Sequence, residues 1–523
     1  MRRTRPTWVV PTAVLLAGTV LLVARLGQPA DLVFDEVYYV SDARAMLASG
    51  VEDGFAVHPP LGKWLIAAGI ALAGDAPFGW RLSGALAGAV TAMLVALVVR
   101  RLAHRDGLAG LAGLLLLLDG VFLVQARTAM LDVHLALFVV LGAWLLLRDR
   151  DRQQQASAGP RWWLLAAGAA FGAAVAVKWS GALALVGAGV LVLVWETARA
   201  RGSGRRALPA FGRATGTVAA YLGVVAVAVY ALSWAPWLVA FEHTFTGTER
   251  GRAAADAGHV VGDRFGGLVR YHRQIADFHL KLDADHPYRA PASTWPLQLR
   301  PVVYHYEACG PDGIDGQGEP CVGPDGLTSE VVAVGNLALW WGALVVLPVT
   351  VAAAVRRDRR AGLPLALLAA QFLPWLVVAR PIFSFYATPL VPFLVVAVAV
   401  GCDHLDRPAR RVGLLAGTLA GAGVTAALSV AIDAASAVEM DPSGVAVAAL
   451  AGGLLGAAAG TAVDLRSEAR SGGAVPGARH GSALVVVLAL IAVTLFVYFA
   501  PVWYGLPLPD EAIRARWWFD GWV

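Results

Sequence analysis

Charge is what this chain has least of. Only 15% of its 523 residues are charged, 58% are hydrophobic and the mean hydropathy is +0.63. Soluble domains carry about 25% charged residues, so a water-soluble enzyme is excluded and an integral membrane protein is indicated. Lysine is nearly absent: the 42 basic residues include only Lys63, Lys178 and Lys281. With abundant Ala and Gly, that bias hints at a high-GC bacterial genome. The net charge of +5 does not point to nucleic acid, because the arginines sit in short clusters between apolar runs. Three cysteines are too few for a cysteine-rich metal centre. Heptads, internal repeats and low-complexity tails are missing as well.

What the chain has in quantity is apolar runs. They fall near 8–26, 80–99, 107–126, 130–147, 162–177, 179–198, 215–238, 333–354, 363–379, 383–401, 412–432, 444–463 and 483–500. Each is close to the ~20 residues needed to cross a bilayer core, which predicts about thirteen helices. Arginine clusters such as Arg100/Arg101/Arg105, Arg148/Arg150/Arg152 and Arg356/Arg357/Arg359/Arg360 occupy alternate loops. By the positive-inside rule those loops are cytoplasmic, as is the N-terminus, and the C-terminal tail lies outside. The first run lacks a small-residue cleavage site and reads as a retained helix.

Two loops on the outer side are long, about 27–79 and 241–332. The second brackets a Gly/Asp-rich stretch with Cys309 and Cys321, which on the oxidising side of a membrane are expected to pair. Polar groups collect on that same side. Asp35 and Glu36 stand in "FDE", a costly acidic pair suited either to a general base or to a helix N-cap. His58 and Lys63 follow in "HPPLGK", and Arg81 opens the second long run in "WRL". Arg127 and Asp132 lie in "ARTAMLD", where they fit a structural ion pair as well as a site. Lys178 in "KWSG" fits a hairpin turn and a phosphate ligand equally. His286, Trp295 and Arg300 belong to "HPYRAPASTWPLQLRP", a segment expected to fold against the headgroup region. Ionisable groups at the edge of spans are costly and usually face a cavity. Carboxylates beside fixed cations suit a site that holds a phosphate and removes a proton from an attacking group.

In this order, together with "FYATPLVPF" and "FAPVWYGLPLP", the motifs resemble the protein O-mannosyltransferase family, membrane glycosyltransferases of the GT-C class. The resemblance covers most of the chain. It implies an all-α polytopic fold with about 11–13 spans and a bacterial plasma-membrane location. The donor would be polyprenyl-phosphate-mannose, and the acceptors Ser/Thr hydroxyls of exported proteins, with the export machinery a possible partner. Asp35 matches the family's catalytic acid position and would act as base, with Glu36 orienting the acceptor or the sugar. Arg81 matches an arginine near the donor phosphate. His58, Lys63, Arg127, Asp132, Lys178, His286, Trp295 and Arg300 complete the expected substrate site. No metal site is recognisable, although weak divalent-metal dependence is compatible with the acidic pair. On this reading residues 1–240 are the catalytic transmembrane module, 241–332 the second outer loop, and 333–523 the remaining helices and an outer tail. The second loop is too short for the extra sugar-binding domain of eukaryotic relatives. An aminoarabinose-type lipid glycosyltransferase and a transporter of lipid-linked sugars are the competing readings.

Overall fold

The structure, a computed structural model, describes residues 8–52, 57–155, 159–243, 260–283, 285–315, 318–321, 323–405 and 481–522. It is that of a multi-pass membrane protein. Six described helices are long and apolar enough to cross a bilayer, or seven if one bent pair is a single span, and four further apolar helices are shorter. Eleven of the thirteen apolar runs coincide with described helices. The runs at 412–432 and 444–463 lie outside the described residues.

The first helix, α1 (Val9–Val23), leads into the first long loop, which carries two helices of its own, α2 (Glu36–Ser49) and α3 (Leu61–Ala73). The long α4 (Pro77–Ala103) follows, with Pro77 in its first turn, where a missing N–H costs nothing. The run expected as one helix at 107–126 is broken. It forms α5 (Asp106–Leu117) and α6 (Gly120–Arg127), bent by 64° at the Asp-Gly pair 119–120. Asp119 caps α6 through the Phe122 N–H and also accepts from the Asn336 N–H and the Trp340 indole, so the polar break is fully bonded inside the membrane.

Lys178 ends one span and Ser180 precedes the next, as its place between two apolar runs predicts. Its backbone is extended between α8 (Trp162–Val177) and α9 (Gly181–Gly202). Gly168 and Gly172 on α8 let the next span approach closely, since a Cβ at Gly168 would lie 1.9 Å from the Tyr221 carbonyl. That span runs as α10 (Ala207–Val218), a π-helical turn at Ala219–Val224 and α11 (Val225–Ser233). Small residues at such spacing are a membrane packing device, because lipid offers no hydrophobic drive for helices to associate.

The second long loop holds an amphipathic helix, α12 (Val260–Lys281), and an antiparallel hairpin of β1 (Val302–Ala308) and β2 (Thr328–Ala333). Cys309 and Cys321 are joined at the end of that hairpin, with Cα atoms 5.7 Å apart. Between α6 and α8 runs α7 (Asp132–Gln154), and after the second loop come α13 (Leu337–Val355), α14 (Arg359–Phe372), α15 (Val391–Leu405) and α16 (Gly481–Tyr504).

Ion pairs tie the arginine-rich helix ends together at one end of the bundle. Arg101 pairs with Asp151, Arg161 with Asp149 and Glu196, and Arg105 and Arg360 share Asp403. At the other end Tyr504 donates to the Leu21 carbonyl at 2.9 Å, and Leu508 pairs with Thr328 of the hairpin. The C-terminal tail therefore lies at the same end as the two long loops. Large apolar side chains such as Val190, Val227, Leu232 and Val377 face outward from the spans, where lipid would meet them.

Candidate active site

Asp35 stands at the N-cap position of α2, yet its side chain makes no capping hydrogen bond. Its carboxylate is left over for other work. The preceding residue, Phe34, has φ +50°, a left-handed conformation that non-glycine residues adopt at a cost of about 1–2 kcal/mol. Ring contacts hold it there: Tyr304 at 4.7 Å and Phe385 at 5.5 Å between centroids. Asp35 is half-buried, and its pKa is raised to about 6. Burial is the main cause. Lys178 opposes it and Asp132 adds to it, so these two groups share an electrostatic neighbourhood with Asp35.

Lys178 and Asp132 line a cavity of about 290 Å³, together with His58, Trp179, His279, Arg380 and Tyr386. Lys178 forms a two-toothed contact with Asp132, at 3.0 and 2.9 Å, and its ammonium lies 4.7 Å from the Tyr386 ring centroid. Asp132 thus pairs with Lys178 and not with Arg127. Arg380 lies over Trp375 and Tyr386, and among the described residues its guanidinium donates to the Pro381 carbonyl at 3.4 Å. Its guanidinium retains donors for an anion. A cavity with two cations and an aromatic wall can hold a phosphate, and the raised-pKa carboxyl of Asp35, in the electrostatic neighbourhood of the cavity's Lys178 and Asp132, can take up a proton.

Arg81, Lys63 and Arg127, also expected here, are bonded within the protein. Arg81 is fully buried, and all five of its N–H donors are engaged. Nε and Nη2 form a fork on Glu36 at 2.8 Å each. Nη1 and Nη2 bond the carbonyls of Leu26, Pro29 and Asp31. All of these donors are committed within the protein, whereas the resemblance places Arg81 near a donor phosphate. Glu36 is fully buried, and beyond Arg81 it accepts from the backbone N–H of Val33 and Ala129, whereas the resemblance gives it the acceptor or the sugar to orient. Lys63 is buried against Asp42 at 2.8 Å, locking α3 to α2. Arg127 bonds the carbonyls of Leu22, Ala24 and Arg25 and stacks 4.1 Å from the Tyr504 ring, closing the C-terminal end of α1.

From the second loop, Trp295 is buried and donates to the Ala290 carbonyl. It lines a separate apolar hollow between α13, α14 and α15. His286 packs on Phe383 with centroids 5.0 Å apart, and Arg300 is exposed just before β1. None of these three lines the main cavity. His58 does. Its neighbour there, His279 on α12, has no conspicuous motif around it, and nothing in "FDE" marks the left-handed backbone of Phe34. The signal that could have found His279 is the amphipathic period of Val260–Lys281, which gives that helix a face for the body of the protein.

Residues 75–247 match the family model described as dolichyl-phosphate-mannose-protein mannosyltransferase. The matched stretch includes Arg81, Arg127, Asp132 and Lys178 and leaves Asp35, Glu36, His58 and Lys63 outside it. A polyprenol-phosphate-mannose–protein mannosyltransferase of Mycolicibacterium smegmatis is 36% identical over 428 residues, covering 75% of this chain and 81% of that protein. One of the same name from Corynebacterium glutamicum is 28% identical over 541 residues, covering 94% and 88%. Among solved structures, the donor-bound Pmt1–Pmt2 protein O-mannosyltransferase complex of S. cerevisiae superposes with a TM-score of 0.72. The coverage is 100% of this chain and 93% of that one, at 13% identity, so that likeness speaks for the fold.

Proposed function

This chain belongs to the polyprenol-phosphate-mannose–protein mannosyltransferases, and from that premise we propose that it is a glycosyltransferase moving mannose from a polyprenyl-phosphate carrier to Ser/Thr hydroxyls of exported proteins. Family membership favours this over the lipid-modifying and transporter readings. The observation that carries the site assignment is Asp35: a carboxyl with no capping duty, a raised pKa, and two cavity-lining groups as its electrostatic neighbours.

In this reading Asp35 takes the proton of the acceptor hydroxyl as its oxygen attacks the anomeric carbon. The bond from that carbon to the phosphate oxygen breaks in the same displacement, inverting the centre, so a β-linked donor gives an α-mannoside. The departing phosphate gains charge, which Lys178 and Arg380 stabilise at the cavity wall. Glu36 and Arg81 act one step back, pinning residues 26–36 so that Phe34 aims Asp35. The site faces the outer side of the bacterial plasma membrane, where the acceptor arrives from the export machinery, and the arginine-rich end is cytoplasmic.

The test is transfer by purified protein from mannosyl-phosphoryl-polyprenol to a Ser/Thr-rich peptide, read by mass spectrometry. Asp35→Asn should abolish transfer while expression and membrane insertion stay normal. Undiminished transfer by that variant would sink the assignment of Asp35.

A further inference from the structure

The main cavity has a wall that carries no charge. His58 and His279 face each other there, ring centroids 5.4 Å apart. His279 lies 3.1 Å through Nε2 from the Val57 carbonyl, which only accepts, so that nitrogen carries the proton. Its Nδ1 is then an acceptor, and it has no hydrogen-bond partner. The Nδ1 of His58, a buried residue, has none either. Buried polar atoms are nearly always bonded, so two unpartnered ring nitrogens on residues that line one cavity point to a ligand that supplies the missing groups.

Trp179 stands beside them, its ring 6.4 Å from that of His279. A one-way chain of hydrogen bonds sets its orientation. The indole N–H donates to Tyr230 Oη at 3.0 Å. The Tyr230 hydroxyl then donates to His272 Nε2 at 2.8 Å, and His272 Nδ1–H donates to the Leu268 carbonyl at 2.8 Å. The directions are set from both ends: an indole only donates, and a carbonyl only accepts, which puts the His272 proton on Nδ1 and leaves its Nε2 to accept from Tyr230. The chain also ties α12, and with it His279, to the membrane body.

Such a wall does not suit a phosphate. Burial first, then Lys178 and other nearby cations, hold His58 well below the usual histidine range. Burial and Arg380 bring His279 down to about 4. Both imidazoles are neutral at physiological pH. Neutral ring nitrogens accept from hydroxyls, and a fixed indole face packs against C–H groups. We propose that His58, His279 and Trp179 form the hexose-recognition wall of the cavity, with the imidazole nitrogens reading the hydroxyls of the donor's sugar. This rests on the mannosyl-donor reading, and it divides the cavity: cations for the phosphate, neutral rings for the sugar.

The experiment is equilibrium binding to the full-length protein in lipid nanodiscs. The ligands are polyprenyl-phosphate-mannose, bare polyprenyl phosphate and the four monodeoxy-mannose donors. Wild type should prefer the mannosylated lipid to the bare one by about tenfold or more, and at least one deoxy donor should lose about tenfold. His279→Ala and His58→Ala should flatten the deoxy series while keeping the affinity for bare polyprenyl phosphate. A residue with only a structural role would weaken all the lipids alike. Wild type that ignores the sugar hydroxyls overturns the proposal without any variant having to fold. So do variants that keep full discrimination, or that lose only peptide-acceptor affinity. A wild type that discriminates among the donors yet never mannosylates a peptide would instead sink the transfer reading and leave the wall standing.

Discussion

Asp35 is one residue on which two pH dependences of opposite sign should be measurable. Its pKa is raised from 3.8 to about 6, chiefly by burial. A base must be ionised, so the transfer rate should climb as pH rises through about 6 and then level off. Stability should run the other way. A carboxyl whose folded pKa is raised adds stability below its unfolded pKa and loses that contribution as pH rises through the folded one. At pH 8 Asp35→Asn should therefore melt at a higher temperature than wild type. The ceiling is about 3 kcal/mol, reduced by the solvent that reaches this half-buried group. The difference should vanish towards pH 4. Equal melting temperatures at pH 8 would mean that Asp35 is not held at a cost for catalysis.

At the scale of elements, the Glu36–Arg81 pair joins the first loop to the head of α4 across 45 residues of sequence. Breaking a buried pair strands a charge and costs about 3–5 kcal/mol, whereas removing both charges costs far less. Arg81→Met should accordingly lower the melting temperature and the yield of folded protein, and adding Glu36→Gln should recover part of both. Donor KM of whatever folds should hardly move. A stable Arg81→Met protein with a strongly raised donor KM would return Arg81 to the phosphate.

That pair also shows where reading the chain by itself stops. The motifs named the charged residues around the site, and Lys178 was correctly placed between two spans. Which cations are consumed by partners depends on contacts tens of residues apart, such as Asp132–Lys178, and no local pattern encodes them. The break at Asp119 was different. An Asp-Gly pair inside a leucine run is a visible cap signal, overridden by the apolar length around it. His279 and the left-handed turn at Phe34 left no such mark, because both owe their roles to tertiary neighbours.

For the whole molecule, sidedness is the property on which the acceptor class depends, and helix counting is a fragile way to obtain it. Contacts provide a firmer one. Tyr504 bonds the Leu21 carbonyl, and Thr328 and Leu508 exchange backbone hydrogen bonds at 2.8 and 2.9 Å, so the tail and the loop that bears Asp35 share one end of the bundle. Ser203, between α9 and α10, lies among the arginine-rich ends and is exposed. A cysteine at exposed Glu511 thus reports the side of Asp35, and one at Ser203 reports the opposite side. Native thiols add little background, since Cys309 and Cys321 are joined and Cys402 is buried. In intact cells a membrane-impermeant maleimide should label Glu511→Cys and leave Ser203→Cys unlabelled until the membrane is permeabilised. The reverse result would put Asp35 on the cytoplasmic side, where an exported protein has not yet arrived, and would remove exported proteins as the acceptors whatever the chemistry of the site.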